Sequence, residues 1–347
     1  MSQDLYLDLH GLVLVRVNSP EKRLANLIHT RLGRLLVHEP DRDPALVIRA
    51  VDSLAGLEAD TGLPLQMIPN GEDKRWCAGL QKSGKPQVVA CPGPPVELRY
   101  LPKNTSMGRL WWVFLIMLRR ILMDTGAMLC HGAVLARNGH GLVIAGHRGQ
   151  GKTSLTLRLL SEGWDYVTED KFILSEGIAH AFEQQIRLRP YHAEFFSEQS
   201  PLRIQLEKMR RQRGRVLPLL QPVLKLMPGE FADHARSRLD RSISVRMEQL
   251  EGSGLFLEQT PVREVVLLRY DPDPPRETSA ARGASAFSQL QGLAFSELHA
   301  LDDLFDYYGG RDSEDLARLA LANLRAARFR CLNPRLPEDW QFLEDFQ

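Results

Sequence analysis

Residues 142–160 read LVIAGHRGQGKTSLTLRLL, an apolar stretch, a glycine-rich loop and a second apolar stretch. Residues 146–153 (GHRGQGKT) fit the pattern GxxxxGK[ST]. Glycines let backbone N–H groups turn inward around phosphate oxygens, and a helix that begins near Lys152 adds its positive dipole end. Lys152 can reach the β- and γ-phosphates, and the Thr153 hydroxyl can bind Mg²⁺. The stretch therefore predicts a strand, a phosphate-binding loop (P-loop) and a helix, in a fold of the α/β class.

Context favours this functional interpretation over a plain glycine-rich turn. Average residue usage gives on the order of one accidental match per hundred chains of this length. Here the loop follows the apolar strand LVIAG and precedes the apolar helix SLTLRLL, as the motif requires. We expect these residues to bind the nucleotide: Gly146, Arg148, Gly149, Gln150, Gly151, Lys152, Thr153 and Ser154.

An acidic pair, Glu169 and Asp170, follows 17 and 18 residues after Lys152. The helix over 153–160 takes up most of this gap, so we expect the chain to return along a neighbouring strand at 164–168. Both carboxylates then reach the phosphate site, where one can hold Mg²⁺ and the other can accept a hydroxyl proton. A solvated acidic turn is the alternative, which the strand–loop–helix–strand order disfavours.

His131 lies 21 residues before Lys152, on a strand that Asn138-Gly139 is predicted to join to the loop strand by a hairpin turn. A histidine there can hydrogen-bond a carboxylate and orient it. A histidine satisfied within the core is the equally weighted alternative.

The 347 residues, of which 44% are hydrophobic and 25% charged, exclude a mostly disordered or coiled-coil chain. A net charge of +1 argues against a nucleic-acid or membrane partner.

We predict an N-terminal α/β module at 1–107 and a nucleotide-binding domain at 108–347. The second domain begins with a core helix over 108–124, whose apolar run is too short to span a membrane. Scattered cysteines, and an N-terminus without a basic region, predict a cytoplasmic protein.

His131-Gly132, the loop and Glu169-Asp170 resemble the HPr kinase/phosphorylase-like kinases, whose catalytic domain is related to phosphoenolpyruvate carboxykinase. The mutual spacings match that family's pattern over residues 128–176. The resemblance implies a mixed-sheet core with a P-loop, and ATP and Mg²⁺ as cofactors. It also implies phosphorylation of a serine-type hydroxyl on a protein or peptide, and a possible homo-oligomer, since the related enzymes assemble.

By position, the resemblance implies a catalytic set of Glu169, Asp170, His131 and Lys152, with Thr153 and Asp170 holding Mg²⁺. Glu169 stands where the family has its catalytic aspartate, which is one methylene shorter. Either the acceptor lies slightly farther away or Asp170 is the base, and the sequence leaves this open. The resemblance also leaves open whether the reverse reaction exists.

Two other functions remain: a catalytically weak ATP-binding regulator or assembly protein, and a kinase of a small-molecule hydroxyl. A GTPase is disfavoured because no NKxD motif occurs. Arg187 and Arg189 are candidates to clamp the transferred phosphate. The basic stretch 203–215 is either a solvated helix face or a docking site for an acidic partner.

Overall fold

The protein is a mixed α/β structure with two large sheets, each combining parallel and antiparallel strands. This confirms the predicted α/β class. The computed structural model describes residues 3–54, 65–70, 73–78, 87–91, 94–146, 150–183, 185–226, 242–250, 254–268, 319, 322–332, 343 and 346.

The first sheet has eight strands in the order β3-β1-β2-β4-β8-β7-β6-β5. The β2/β4 and β4/β8 pairs are parallel, and its other pairs are antiparallel. Its strands are β1 (Leu5–Leu9), β2 (Val13–Asn18), β3 (Leu36–Val37), β4 (Leu46–Ala50), β5 (Leu65–Asn70), β6 (Asp73–Ala78), β7 (Val88–Cys91) and β8 (Val96–Tyr100).

The second sheet has the order β12-β10-β11-β17-β14-β13-β9, with β18 pairing in parallel to β17. A separate antiparallel pair, β15 and β16, lies outside it. These strands are β9 (Met128–His131), β10 (Ala133–Arg137), β11 (His140–Gly146), β12 (Asp165–Thr168), β13 (Lys171–Ser175), β14 (Ile178–Ala181), β15 (Gln185–Leu188), β16 (Ile243–Arg246), β17 (Gln259–Leu268) and β18 (Arg328–Leu332).

In the described part of the chain, α-helices pack with these sheets, and the predicted core helix is confirmed as α2 (Met107–Asp124). Helix α2 buries most of its length because its run of apolar residues covers nearly every face, and Ser106 caps it by accepting from the Arg109 N–H at 3.3 Å. Within the described part of the chain, no helix is long and apolar enough to cross a membrane. The helices are α1 (Lys22–Leu32), α2 (Met107–Asp124), α3 (Lys152–Ser161) and α4 (Pro201–Leu226).

One apolar core connects the two large sheets. It takes buried residues from α1, from α2 and from both sheets, for example Leu7, Phe114 and Ile173. Burial of apolar surface is the main favourable term in folding, so the two sheets stabilise each other through this shared core. The division into 1–107 and 108–347 stays a prediction.

Local structure around the hairpin agrees only in part with the sequence. The Asn138-Gly139 turn between β10 and β11 is confirmed. Residues 128–137, predicted as one strand, form two strands separated by Gly132, and β9 pairs with β13 instead of joining the hairpin. The sequence SEDLARLALANLRAARF also predicts an amphipathic helix over 313–329, capped by Ser313. This range lies mostly outside the described residues, and its last two positions begin β18.

Candidate functional site

The candidate site lies at the edge of the second sheet where β11 and β12 both end. Strand β10 is antiparallel to each of them, so β11 and β12 run in the same direction. Their carboxyl ends, Gly146 and Thr168, therefore meet at one edge, which is where α/β sheets bind ligands. One expectation is corrected: β12 does not lie beside β11, because β10 separates them.

The glycine-rich segment leads from β11 into helix α3, which begins at Lys152. Gly151, the residue before the helix, has a φ of +94°, a conformation that glycine adopts without steric cost. The Lys152 ammonium donates to the carbonyl oxygen of Gly146, so the lysine side chain points back towards the end of β11. Gln150 and Ser154 flank this turn and are half-buried. Predicted ligands Arg148 and Gly149 lie outside the described residues.

Glu169 is brought directly against the first turn of α3. The Thr153 hydroxyl donates to Glu169 Oε1, and the backbone N–H of Arg187 donates to Glu169 Oε2 at 3.2 Å. The residue is only 5% exposed. Both oxygens of the carboxylate are thus held by hydrogen bonds, one from the loop side and one from β15.

Burial makes Glu169 an unusually weak acid. Its pKa rises from 4.5 to about 7, because desolvation outweighs the hydrogen bonds from Thr153 and Arg187, and the charge of Asp170 raises it further. A group with a pKa close to neutral can hold and release a proton under ordinary conditions, which is the property required of a general base.

Asp170 has a different environment from its neighbour. Its Oδ2 lies 2.9 Å from the Lys171 ammonium, and its Oδ1 lies 3.3 Å from His131 Nδ1. Burial alone would raise the pKa of Asp170, but the charges of Lys171 and His131 and the hydrogen bond from Lys171 bring it well below its ordinary value. Two adjacent carboxyls therefore differ: one is close to protonation at neutral pH and the other stays ionised.

The backbone at Asp170 explains how both acids reach the site. Its φ of +81° is rare for a residue with a side chain, and it lies between β12 and β13. The Gly132 N–H donates to the Asp170 carbonyl at 3.1 Å and holds this turn. Strain of this kind persists only where surrounding contacts enforce it, and it clusters at functional sites.

The structure thus brings Lys152, Thr153, Glu169, Asp170 and His131 to one sheet edge. It pairs Thr153 with Glu169, whereas the described ion pairs of Asp170 are with Lys171 and His131.

Sequence reasoning missed two charged residues of this cluster. Lys171 contacts Asp170, and its ammonium lies 3.7 Å from Oε1 of Glu183, a residue buried just after β14. The position of Lys171 directly after the acidic pair is a signal that could have been used. Nothing in the local sequence around Glu183 marks it, since a single acid followed by two glutamines is normally solvated.

The two arginines predicted to clamp phosphate take different positions. Arg187 is exposed on β15, and the contact it makes with Glu169 comes from its backbone. The Arg189 N–H donates to His192 Nδ1 at 3.0 Å, at the start of a short 3₁₀ helix. An exposed guanidinium on β15 remains compatible with a role toward an incoming phosphate.

The donor atoms around Thr153 suit Mg²⁺. Among the residues that the structure describes, no group of three or more His, Cys, Asp or Glu side chains could hold a metal ion. Mg²⁺ in nucleotide sites uses one or two protein oxygens together with phosphates and water, so such a cluster is not required. Because the Thr153 hydroxyl donates its hydrogen to Glu169, its lone pairs stay available to a cation.

Comparisons with known proteins add no family assignment. No protein-family model matches this chain. No curated protein matches it either. The resemblance therefore rests on the residues and spacings themselves.

Gly132 offers a test of how tightly the site is built. A Cβ at this position would lie 2.8 Å from the backbone oxygen of Ile144 and 3.4 Å from the Phe172 ring. We expect Gly132→Ala to destabilise the protein by about 1–3 kcal/mol in urea unfolding, because the contact is with rigid backbone. It should also displace Asp170, whose carbonyl Gly132 binds.

Gly33→Ala is the matched control for that substitution. Gly33 has a φ of −56°, and no atom lies within 4 Å of an added Cβ. We expect it to be neutral or to stabilise the fold by up to about 1 kcal/mol. Equal stability of the Gly132→Ala variant and the unsubstituted protein would contradict the described packing.

Proposed function

We propose that this chain is an ATP-dependent phosphotransferase of the HPr kinase/phosphorylase-like type, which phosphorylates a serine-type hydroxyl on a protein or peptide. The single observation that carries the proposal is the contact between Thr153 and Glu169. A hydroxyl at the start of a helix that follows a GxxxxGK sequence, bonded to an acid at the end of a parallel strand, is the arrangement that a Mg-nucleotide site requires.

In this proposal, residues 146–153 form a P-loop that holds the triphosphate. Lys152 would leave the Gly146 carbonyl and neutralise the β- and γ-phosphates. The Thr153 hydroxyl would hold Mg²⁺, which supplies positive charge to the transferred group when it is bound. Asp170, as an ionised oxygen donor close to the same edge, is the second proposed protein ligand of the cation.

The proton of the acceptor hydroxyl goes to Glu169 in this account. Its pKa of about 7 makes it the better proton acceptor of the two acids, whereas Asp170 is held ionised by Lys171 and His131 and is a poor one. His131 acts by orienting Asp170 from 3.3 Å away. We therefore propose Glu169, and not Asp170, as the base.

The test is incubation of the protein with γ-labelled ATP and Mg²⁺ in lysate of the source organism. We expect one labelled protein or peptide, identified by mass, that carries the label on a serine-type hydroxyl. The Lys152→Met variant serves as the control in parallel. A labelled metabolite would indicate a small-molecule kinase, whereas ATP binding without a labelled product would indicate a regulator. Use of ATP agrees with the cytoplasmic location that we propose.

A further inference from the structure

A chain of partly or fully buried charges connects the N-terminal region to the candidate site. It begins with Arg31 on α1, passes through Glu183 and Lys171, and ends at Asp170. Arg31 and Glu183 are 152 residues apart in sequence. The chain therefore joins the part of the molecule built on the first sheet to the acidic pair on the second.

Lys171 is shared between two carboxylates. Its ammonium lies 2.9 Å from Asp170 and 3.7 Å from Glu183, and its side chain is 16% exposed. In such a partly buried position, an ammonium lies closer to the carboxylate that attracts it more strongly. This attraction is weaker for a carboxylate that a second cation already neutralises. The shorter distance shows that Lys171 interacts more closely with Asp170 than with Glu183.

Arg31 supplies the other positive charge to Glu183. Its Nη1 lies 3.3 Å from Oε2, whereas Lys171 is closest to Oε1, so the two cations use different oxygens. The Glu183 side chain is only 4% exposed and cannot rely on water for compensation. The guanidinium of Arg31 lies 4.9 Å from the ring centroid of Trp111 on α2, which helps to fix its position.

The backbone holds Glu183 in the same place. The Thr168 hydroxyl lies 2.7 Å from the carbonyl oxygen of Glu183, and Thr168 immediately precedes the acidic pair. Glu183 is therefore fixed against the end of β12 by its main chain. Burial raises the pKa of its carboxyl, and the charges of Lys171, Arg31 and Arg187 oppose that rise and favour the ionised form. Without Arg31, Lys171 would be the only described cation in contact with this carboxylate.

We infer that Arg31 is a positioning residue of the site: by pairing with Glu183, it allows Lys171 to stay close to Asp170 and hold it in its working orientation. The N-terminal region is then a required part of the phosphotransfer unit. This inference rests on the proposed function. Other charged groups close to Asp170 are His131, Glu169 and Arg187, and none of them contacts Arg31 in the described pairs.

The test compares four forms with the unsubstituted protein: Arg31→Met, Arg31→Lys, Glu183→Gln and the double variant Arg31→Met with Glu183→Gln. Methionine keeps an apolar stem against Trp111 and removes the charge. We expect kcat of Arg31→Met to fall by between about tenfold and a hundredfold, as displacement of a catalytic group by about 1 Å can do. KM for ATP should stay within about twofold of the original value, since the effect is on positioning and not on nucleotide binding.

Rescue distinguishes positioning from a general structural defect. Arg31→Lys keeps the charge and should retain most of kcat. Glu183→Gln and the double variant should also retain most of it, because a carboxylate at 183 then no longer competes with Asp170 for Lys171. A double variant no better than Arg31→Met, or an Arg31→Met variant with unchanged kcat, would overturn the inference.

A measurement without catalysis separates this inference from the proposed function. Arg31→Met should lower the melting temperature by a few degrees in the original background. The decrease should be smaller in an Asp170→Asn background, where Lys171 no longer faces a carboxylate at 170 and can move towards Glu183. An equal decrease in melting temperature in both backgrounds would overturn the inference, even if the protein is an active kinase. Absence of phosphoryl transfer by the unsubstituted protein would refute the proposed function, and the thermal comparison would still decide the coupling.

Discussion

Replacing Lys152 with methionine is expected to abolish phosphoryl transfer, with a loss of at least about a hundredfold to a thousandfold in kcat/KM. Removal of one group that stabilises charge in a transition state typically costs this much. Lys152 is the first residue of α3 and already contacts the Gly146 carbonyl, so it lies where the triphosphate is proposed to bind. Transfer of label from γ-labelled ATP measures the loss.

Lys22→Met is the matched control for this substitution. Lys22 is also the first residue of a helix, α1, and it is exposed. Its replacement should leave the transfer rate unchanged and alter stability by no more than about 0.5 kcal/mol. A Lys152→Met variant that keeps a tenth or more of the original kcat/KM would contradict the proposed role.

Glu169→Gln is expected to make the protein more stable at pH 8 while inactivating it. The folded state holds the Glu169 proton up to a pKa of about 7, whereas the unfolded chain releases it near 4.5. The folded state therefore binds more protons between these values, and the stability of the original protein falls as pH rises through this window. Since one pKa unit corresponds to about 1.4 kcal/mol, ionisation of Glu169 costs up to about 3 kcal/mol of stability.

Glutamine stays neutral and avoids this cost. The advantage of Glu169→Gln should be small at pH 5 and should grow to about 3 kcal/mol at most by pH 8. Urea unfolding in the absence of Mg²⁺ and nucleotide measures it. Glu162→Gln is the control, because Glu162 forms an exposed ion pair with Arg158. We expect it to change the free energy of unfolding by less than about 1 kcal/mol at both pH values. A stability difference for Glu169→Gln that does not depend on pH would contradict the burial argument.

The same Glu169→Gln variant should lose between about a hundredfold and ten-thousandfold in kcat, the range for removal of a general base. Gain of stability together with loss of activity is the result expected of a group held in an unfavourable state for function. A kcat equal to that of the unsubstituted protein, measured with γ-labelled ATP, would show that Glu169 is not the base and would favour Asp170 in that role.

Much of the site could be predicted from the sequence because its parts are local. The apolar strand, the glycines and the apolar helix around Lys152 predict β11 and α3. The distance of 17 residues from Lys152 to Glu169 leaves room for one helix and one short strand only. Two strands that run in the same direction then end at one edge, and this brings Glu169 to Thr153.

The remainder depends on contacts between distant segments. That β10 lies between β11 and β12 follows from pairing across the whole sheet, which local patterns do not encode. Gly132 lies between β9 and β10, where an added Cβ would lie 2.8 Å from the Ile144 carbonyl oxygen, and the sequence does not show this contact. The ion pair of Arg31 with Glu183 joins helix α1 to the segment that follows β14, and ordinary charge patterns predict solvated positions for both.

We propose that the segment around Lys152 binds a triphosphate whose terminal phosphate faces Glu169 and Asp170. A crystal structure with Mg²⁺ and a non-hydrolysable ATP analogue tests it most directly. We expect Mg²⁺ to bind the Thr153 hydroxyl and the γ-phosphate to lie within hydrogen-bond distance of the Lys152 ammonium. The Glu169 carboxylate should lie beside the γ-phosphate. An analogue bound elsewhere, or a protein that fails to bind it at millimolar concentration, would contradict the account.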